Sequence, residues 1–191
     1  MERKIVLPGE RVDDKATANT FTKDKQRYSA IYGLMTKKED PLRIAPLKGK
    51  YMPMRGDYVV AIVTDVKHGG CVVDINSPYS AFLLTKREYD FGDVIFAKVR
   101  DVDEVKSVLL EDDRKLFDGK IVEILPVKIP RIIGKKNSML NLIRDGTGCN
   151  LFVGRNGRIW VKGENIARAQ EIILKIEKEA HTLGLTERIV N

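Results

Sequence analysis

Arg131-Ile132-Ile133-Gly134-Lys135-Lys136-Asn137-Ser138-Met139-Leu140 is the stretch whose reading decides the fold. Gly134-Lys135-Lys136-Asn137 lies between two apolar helical segments and leaves no room for a core side chain. Glycine lets the backbone come close to a partner, and the N–H groups that open the next helix point outward at an anion. Two lysines add charge. The pattern is that of a loop that clamps a nucleic-acid backbone.

The neighbouring residues extend this reading into a domain. Upstream, Asp118-Gly119-Lys120 leads into a strand at Ile121–Leu125. Pro130 opens a helix, since proline suits a first helical turn. Ser138 is placed to cap a second helix, Leu140 and Ile143 share one face of it, and Gly146 is placed to end it. Two further strands, Asn150–Val153 and Arg158–Lys162, flank Gly154-Arg155-Asn156-Gly157, in which Asn-Gly is a hairpin signal. A last helix spans about residues 164–180, with Ile166, Ala169, Ile173, Ile176 and Ala180 forming one apolar stripe. The order is β-α-α-β-β-α. Trp160 is either a stacking platform or, as is commoner on a sheet with one face under helices, a core or interface residue.

Before this unit, short strand runs follow one another closely. Tyr58–Val66, Cys71–Ile75, Ala81–Leu84, Val94–Val102 and Ser107–Glu111 are separated by Gly-rich or polar turns. Five such runs point to a small closed barrel of the OB type. Residues 1–52 read as a separate β-rich unit. Val6–Glu10 gives a short strand and turn, residues 13–19 a loop, Tyr28–Met35 a strand, and Leu42, Ile44 and Leu47 a further alternating strand. This unit is too small to bury much core and is expected to pack on a neighbour.

Lys and Arg number 34 against 27 Asp and Glu, a formal charge of +7 that is not held in one tail. A polyanionic partner fits that balance. Cys71 and Cys149 stand alone with no Cys-x-x-Cys pair, so a thiolate zinc site is not expected and both read as small core residues. A disulfide between them stays open. His68 and His181 have no obvious acid or nucleophile partner. No catalytic constellation, metal site or cofactor motif is present, so an enzyme is not expected. No apolar run approaches the roughly 20 residues that cross a bilayer, and Met1-Glu2-Arg3-Lys4-Ile5 lacks a signal-peptide core. A cytoplasmic protein is expected.

Three stretches in the barrel region resemble an S1 domain, an RNA-binding OB barrel: Gly56-Asp57-Tyr58-Val59-Val60-Ala61-Ile62-Val63, Gly70-Cys71-Val72-Val73-Asp74-Ile75 and Gly92-Asp93-Val94-Ile95-Phe96-Ala97-Lys98-Val99. The β-α-α-β-β-α unit resembles a KH domain, with Asn137 where the clamp loop of that family has its second glycine. Asn tolerates left-handed backbone angles, so the turn is expected to survive. On the S1 side, the positions of the usual exposed aromatics fall on Val72 and Leu83, so backbone contact is expected rather than stacking. Lys67, His68, Lys98, Arg100 and Lys106 would provide it.

The order of the parts, residues 1–52, then S1 over 53–115, then KH over 116–191, resembles the S1–KH type of RNA-binding cap subunit of the archaeal exosome, the ribosomal-RNA-processing protein 4 family. Val6-Leu7-Pro8-Gly9-Glu10, Val73-Asp74-Ile75-Asn76-Ser77-Pro78-Tyr79 and Gly154-Arg155-Asn156-Gly157-Arg158-Ile159-Trp160-Val161 are similar to that family as well. The resemblance implies a multi-domain fold: an all-β N-terminal unit, a five-stranded OB-type barrel and an α+β KH domain. It also implies a non-catalytic subunit that sits in three copies on a ring of RNase-PH-type subunits. There it would bind single-stranded RNA and guide the 3′ end into the ring for degradation or processing. Its RNA contacts would be Gly134, Lys135, Lys136 and Asn137 in KH, with the five barrel residues above. Two alternatives remain: a stand-alone single-stranded RNA-binding regulator or ribosome-biogenesis factor, and a structural adaptor that only holds the ring together.

Overall fold

The computed structural model describes residues 3–13, 16–36, 42–46, 49–103 and 107–179. The chain divides into two compact units, Met1–Gly49 and Lys50–Asn191.

The first unit is all β. Strands β1 (Arg3–Val6), β2 (Ala16–Ala18), β5 (Gly33–Thr36) and β6 (Leu42–Pro46) form one sheet in the order β1-β5-β6-β2, and β3 (Thr20–Lys23) and β4 (Gln26–Ser29) form a hairpin. The single strand expected over Tyr28–Met35 is two strands. Ser29 breaks it: its hydroxyl donates to the Ile31 carbonyl at 2.7 Å, a local turn that competes with an extended ladder. The expected loop over 13–19 holds the short strand β2. Leu47, expected in the last strand, lies outside the described residues. The core here is Val6, Val12, Met35 and Ile44, with Ile31 against it.

The second unit joins a barrel and a sandwich. Strands β7 (Tyr58–Lys67), β8 (Gly70–Asp74), β9 (Ala81–Leu84), β10 (Val94–Val102) and β11 (Val108–Leu116) close in the order β10-β11-β9-β8-β7. All pairs are antiparallel except β9 with β11. Alternate residues point inward, so Val59, Ala61, Val63, Cys71, Val73, Leu83, Ile95, Ala97, Val99 and Leu110 fill the interior. Tyr51 also packs in this core, and its hydroxyl donates to Asp57 at 2.8 Å. The barrel thus recruits a residue ahead of the expected boundary at 53.

Next come β12 (Lys120–Glu123), α1 (Ile129–Ile133), α2 (Ser138–Thr147), β13 (Cys149–Val153), β14 (Arg158–Gly163) and α3 (Ile166–Glu179), which is the expected β-α-α-β-β-α order. The sheet order is β12-β14-β13. Helix α2 runs one residue past Gly146; Gly148, at φ +64°, is the left-handed residue that ends it. Ser138 makes no side-chain cap to α2; Asn137 holds the capping position. One sheet face packs under the helices through Val122, Leu151, Ile159 and Val161, against Ile132, Ile143, Ala169, Ile173 and Ile176. Ala180, expected on that helical stripe, lies outside the described residues. Cys71 and Cys149 are both buried free thiols, in the barrel core and the sheet–helix core respectively.

The other sheet face is covered by the barrel. Trp160 is 5% exposed and packs with Val60 and Leu116, alongside Phe96 and Phe152. It is therefore an interface residue and not a stacking platform. Gly119 makes room for it, since a Cβ there would come within 2.3 Å of the indole. The β13–β14 turn locks the two parts together. Asn156, fully buried, donates from Nδ2 to the carbonyls of Val60 (2.7 Å) and Ile75 (3.0 Å), and the Val60 N–H donates to its Oδ1 (3.2 Å). Beside it, Arg158 is 6% exposed. It donates to Glu123 (2.8 Å), to the Asp74 carbonyl (2.8 Å) and to the Asp74 carboxylate (2.6 Å).

Asn156→Ala leaves three buried backbone groups without partners. It should lower unfolding stability by about 2–3 kcal/mol, read by chemical denaturation against exposed Asn150→Ala, which should change little. Burial works to raise the Asp74 pKa, but the Arg158 and Asn76 hydrogen bonds outweigh it, and the net pKa lies below the ordinary 3.8. A depressed carboxylate stabilises the fold above its unfolded pKa and loses that contribution as pH falls through the folded value. Stability should therefore drop on acidification below about pH 4, and the drop should be shallower in Asp74→Asn.

Candidate nucleic-acid interface

The Gly134 loop is a tight, exposed connection between α1 and α2. Gly134 has φ +72° and ψ 176°, and a Cβ there would meet the Met139 backbone nitrogen at 2.7 Å. Only glycine fits both the angle and the close approach. Lys136 (φ +52°, ψ 38°) and Asn137 (φ +64°, ψ 17°) are both left-handed. Asn137 takes the role expected of a second loop glycine. The left-handed Lys136 was not legible in sequence. Two such residues in succession cost energy, and backbone strain of this kind concentrates at binding sites. Lys135, Lys136 and Asn137 are all exposed.

Below the loop runs the groove expected between α2 and β13. Ile133, Leu140, Leu151 and Val153 give it an apolar lining, with Asn137 at its rim. Arg144 lines it too, and its Nη2 donates to the Leu151 carbonyl at 2.9 Å. That partner is neutral, so the guanidinium charge stays available.

The barrel residues divide into separate places. Lys98 and Arg100 line a pocket with Arg55, Gly56, Val99 and Glu111. Arg100 lies 3.7 Å from Glu111. Lys67 and His68 are exposed at the β7–β8 turn, at the far end of β7 from Tyr58, which is opposite Lys98. Lys67 pairs with Asp65 at 2.5 Å, both being about half exposed. Lys106 lies outside the described residues. The structure thus brings Lys98 to Arg100 and Lys135 to Asn137, and leaves Lys67 and His68 apart from both.

One register expectation is corrected. Leu83 is fully buried in the barrel core, and the outward position on β9 is Phe82, directly opposite Val72 on β8. Phe82 is half-buried over Gly70, where a Cβ would come within 2.7 Å of its ring. The outer face of β8–β9 therefore carries an aromatic after all. Alternation from the buried Ala81 would have found it, because a one-residue slip exchanges the two faces. Reading residues singly also missed Arg55, Arg144 and Arg155, each of which joins a groove only through the fold.

Comparison with known proteins bears on this arrangement. Residues 119–167 match the family model described as KH domain. The chain is 43% identical to the exosome complex component Rrp4 of Methanobrevibacter smithii, covering 99% of this chain and 70% of the relative. It is 40% identical to the Rrp4 component of Methanothermus fervidus, over 98% of this chain and 94% of the other. A crystal structure described as that of an exosome complex RNA-binding protein superposes with a TM-score of 0.68 at 38% identity, over 74% of this chain and 94% of that one.

Reversing the loop charge tests the interface. Lys135→Glu/Lys136→Glu should bind a single-stranded polynucleotide at least about tenfold more weakly. In a salt titration, the slope of log affinity against log salt should be shallower by about 1.4, the value for two lost phosphate contacts.

Proposed function

This chain belongs to the Rrp4 family of exosome complex components, and on that premise we propose that it is a non-catalytic RNA-binding cap subunit. It sits in three copies on a ring of RNase-PH-type subunits and guides RNA 3′ ends into the ring. Its three working parts are the β-rich unit of residues 1–52, the barrel of residues 53–115 and the KH domain of residues 116–191. Its place of action is the cytoplasm.

The observation that carries the reading is the Gly134–Asn137 loop over an apolar groove, on a domain held firmly to a barrel that presents Lys98 and Arg100 in a pocket of its own. A KH clamp of this kind holds a few backbone nucleotides of a single strand. Gly134, Lys135, Lys136 and Asn137 are the proposed contacts there. Lys98 and Arg100, with Lys67, His68 and Lys106, are those of the barrel. The first unit is the proposed ring contact. Its small core leaves Ile5, Leu7 and Phe21 exposed, and apolar side chains of that kind suit a protein interface. Among the described residues no group of three or more His, Cys, Asp or Glu is gathered to hold a metal ion.

The test is a titration of fluorescent poly(A) at several salt concentrations, with the chain alone and with an RNase-PH-type ring. The ring should raise apparent RNA affinity, and adding the chain should speed 3′ decay by the ring. Tight binding by the chain alone, with no response to the ring, would instead make it a stand-alone RNA-binding regulator. RNA hydrolysis by the purified chain would overturn the non-catalytic assignment.

A further inference from the structure

The groove under the Gly134 loop does not end at the edge of its own sheet. Tyr58 and Phe96 of the barrel line it together with Leu140, Arg144 and Arg155. The Arg155 N–H donates to the Tyr58 carbonyl at 2.8 Å, which fixes the β13–β14 turn against the start of β7. Gly56 belongs both to this groove and to the pocket of Arg55, Lys98 and Arg100. The strand register explains the continuity. Tyr58 and Lys98 are direct cross-strand partners on β7 and β10, so they share the barrel's outer face. The Gly56 N–H donates to the Val99 carbonyl at 2.8 Å and holds the 55–57 turn beside them.

Tyr58 is the outermost member of a chain of four rings. It stacks on Phe96 at 5.3 Å and 8°, Phe96 meets Phe152 edge-on at 5.1 Å, and Phe152 meets Trp160 edge-on at 5.7 Å. The inner rings hold Tyr58 rigid, yet it is 45% exposed. A fixed, solvent-facing aromatic with cations on either side is how proteins hold single strands. The ring stacks any base, and the cations follow the backbone. Two carboxylates share the path, and both are engaged. Asp57 accepts from the Tyr51 hydroxyl (2.8 Å) and the Met54 N–H (3.3 Å), and Glu111 faces Arg100. Arg55, Lys98, Arg144 and Arg155 outnumber them, so the seam suits a polyanion.

We infer that the seam between barrel and KH domain is itself a nucleotide-binding site. A single strand of RNA held at the Gly134–Asn137 loop runs along the groove, stacks one base on Tyr58 and continues to Lys98 and Arg100. The two basic regions are then one track. This rests on the RNA-binding reading above and adds a site and a path to it.

The experiment uses the full chain and poly(U), whose bases cross-link to aromatic side chains in ultraviolet light. With the wild-type protein, mass spectrometry should find the cross-link in the peptide that carries Tyr58. Tyr58→Ala should weaken poly(U) binding about tenfold, within the range of one base stack, and Tyr58→Phe should restore it. The wild-type cross-link needs no variant to fold. If poly(U) binds and Lys135→Glu/Lys136→Glu weakens it, but Tyr58 neither cross-links nor responds to substitution, the seam is not a site and the RNA-binding reading stands. If Tyr58→Ala keeps RNA affinity but loses the ring, the seam docks protein and the inference falls. If neither the chain nor its complex with the ring binds poly(U), the RNA-binding reading fails and takes the inference with it.

Discussion

The amide of Asn156 is the contact on which the second unit depends. A buried primary amide must satisfy both its ends or destabilise the fold. This one does so entirely with barrel backbone, at Val60 and Ile75. Gly154 makes the geometry possible, because a Cβ there would lie 2.2 Å from the Asn156 oxygen and 2.6 Å from the Val60 nitrogen. Arg158 adds a second tie from the same hairpin to Asp74. Its charge is buried but paired on both sides, with Asp74 and Glu123, which offsets the cost of burying it. Hydrogen bonds are directional where apolar contact is not. The Asn156 set therefore fixes how the barrel and the KH sheet face each other, and the Trp160–Phe152–Phe96 packing fills the space between them.

This junction gives the candidate binding surfaces their form. The KH sheet is covered on both faces, by helices on one and the barrel on the other. Among the described residues of this domain, one open feature is the groove between α2 and β13, lined by Asn137 of the Gly134 loop. The loop can hold two consecutive left-handed residues because it is anchored at both ends. Gly134 is pressed against the start of α2, and its N–H donates to the Pro130 carbonyl at 3.0 Å. Strain of this sort, held by packing, presents backbone and lysine charge in a fixed geometry instead of ordering them at the moment of binding.

The barrel has two outer faces with different partners. On β8 and β9, Val72 and Phe82 face outward with Leu84 beyond them, 52% exposed. On β7, β10 and β11, the cross-strand rows Val60–Phe96–Arg114 and Ile62–Val94–Leu116 lie toward the KH sheet, and the row Tyr58–Lys98–Glu111 emerges at its margin. The position of Tyr58 at that margin gives one residue two roles, one ring face closing the interface and the rest meeting solvent.

Periodicity and turn chemistry in the sequence settled the element order. The five barrel strands, the β-α-α-β-β-α unit and the loop at Gly134 were all legible, because alternation, helical stripes and glycine angles are local properties. The sheet face of Phe82 was within reach of the same alternation, but anchoring it on Leu83 inverted the strand. Asn156 shows the limit. In sequence, Asn-Gly is a turn signal, and a turn is indeed there. That its amide would reach across to Val60, 96 residues away, is set by which surfaces meet. The same holds for Tyr58 beside Lys98, for Arg155 beside Tyr58, and for the separation of Lys67 and His68 from the other cations. Local chemistry fixed what each segment is. Only the burial of complementary surfaces decided which segments share a groove, because that choice depends on contacts between residues far apart in the chain.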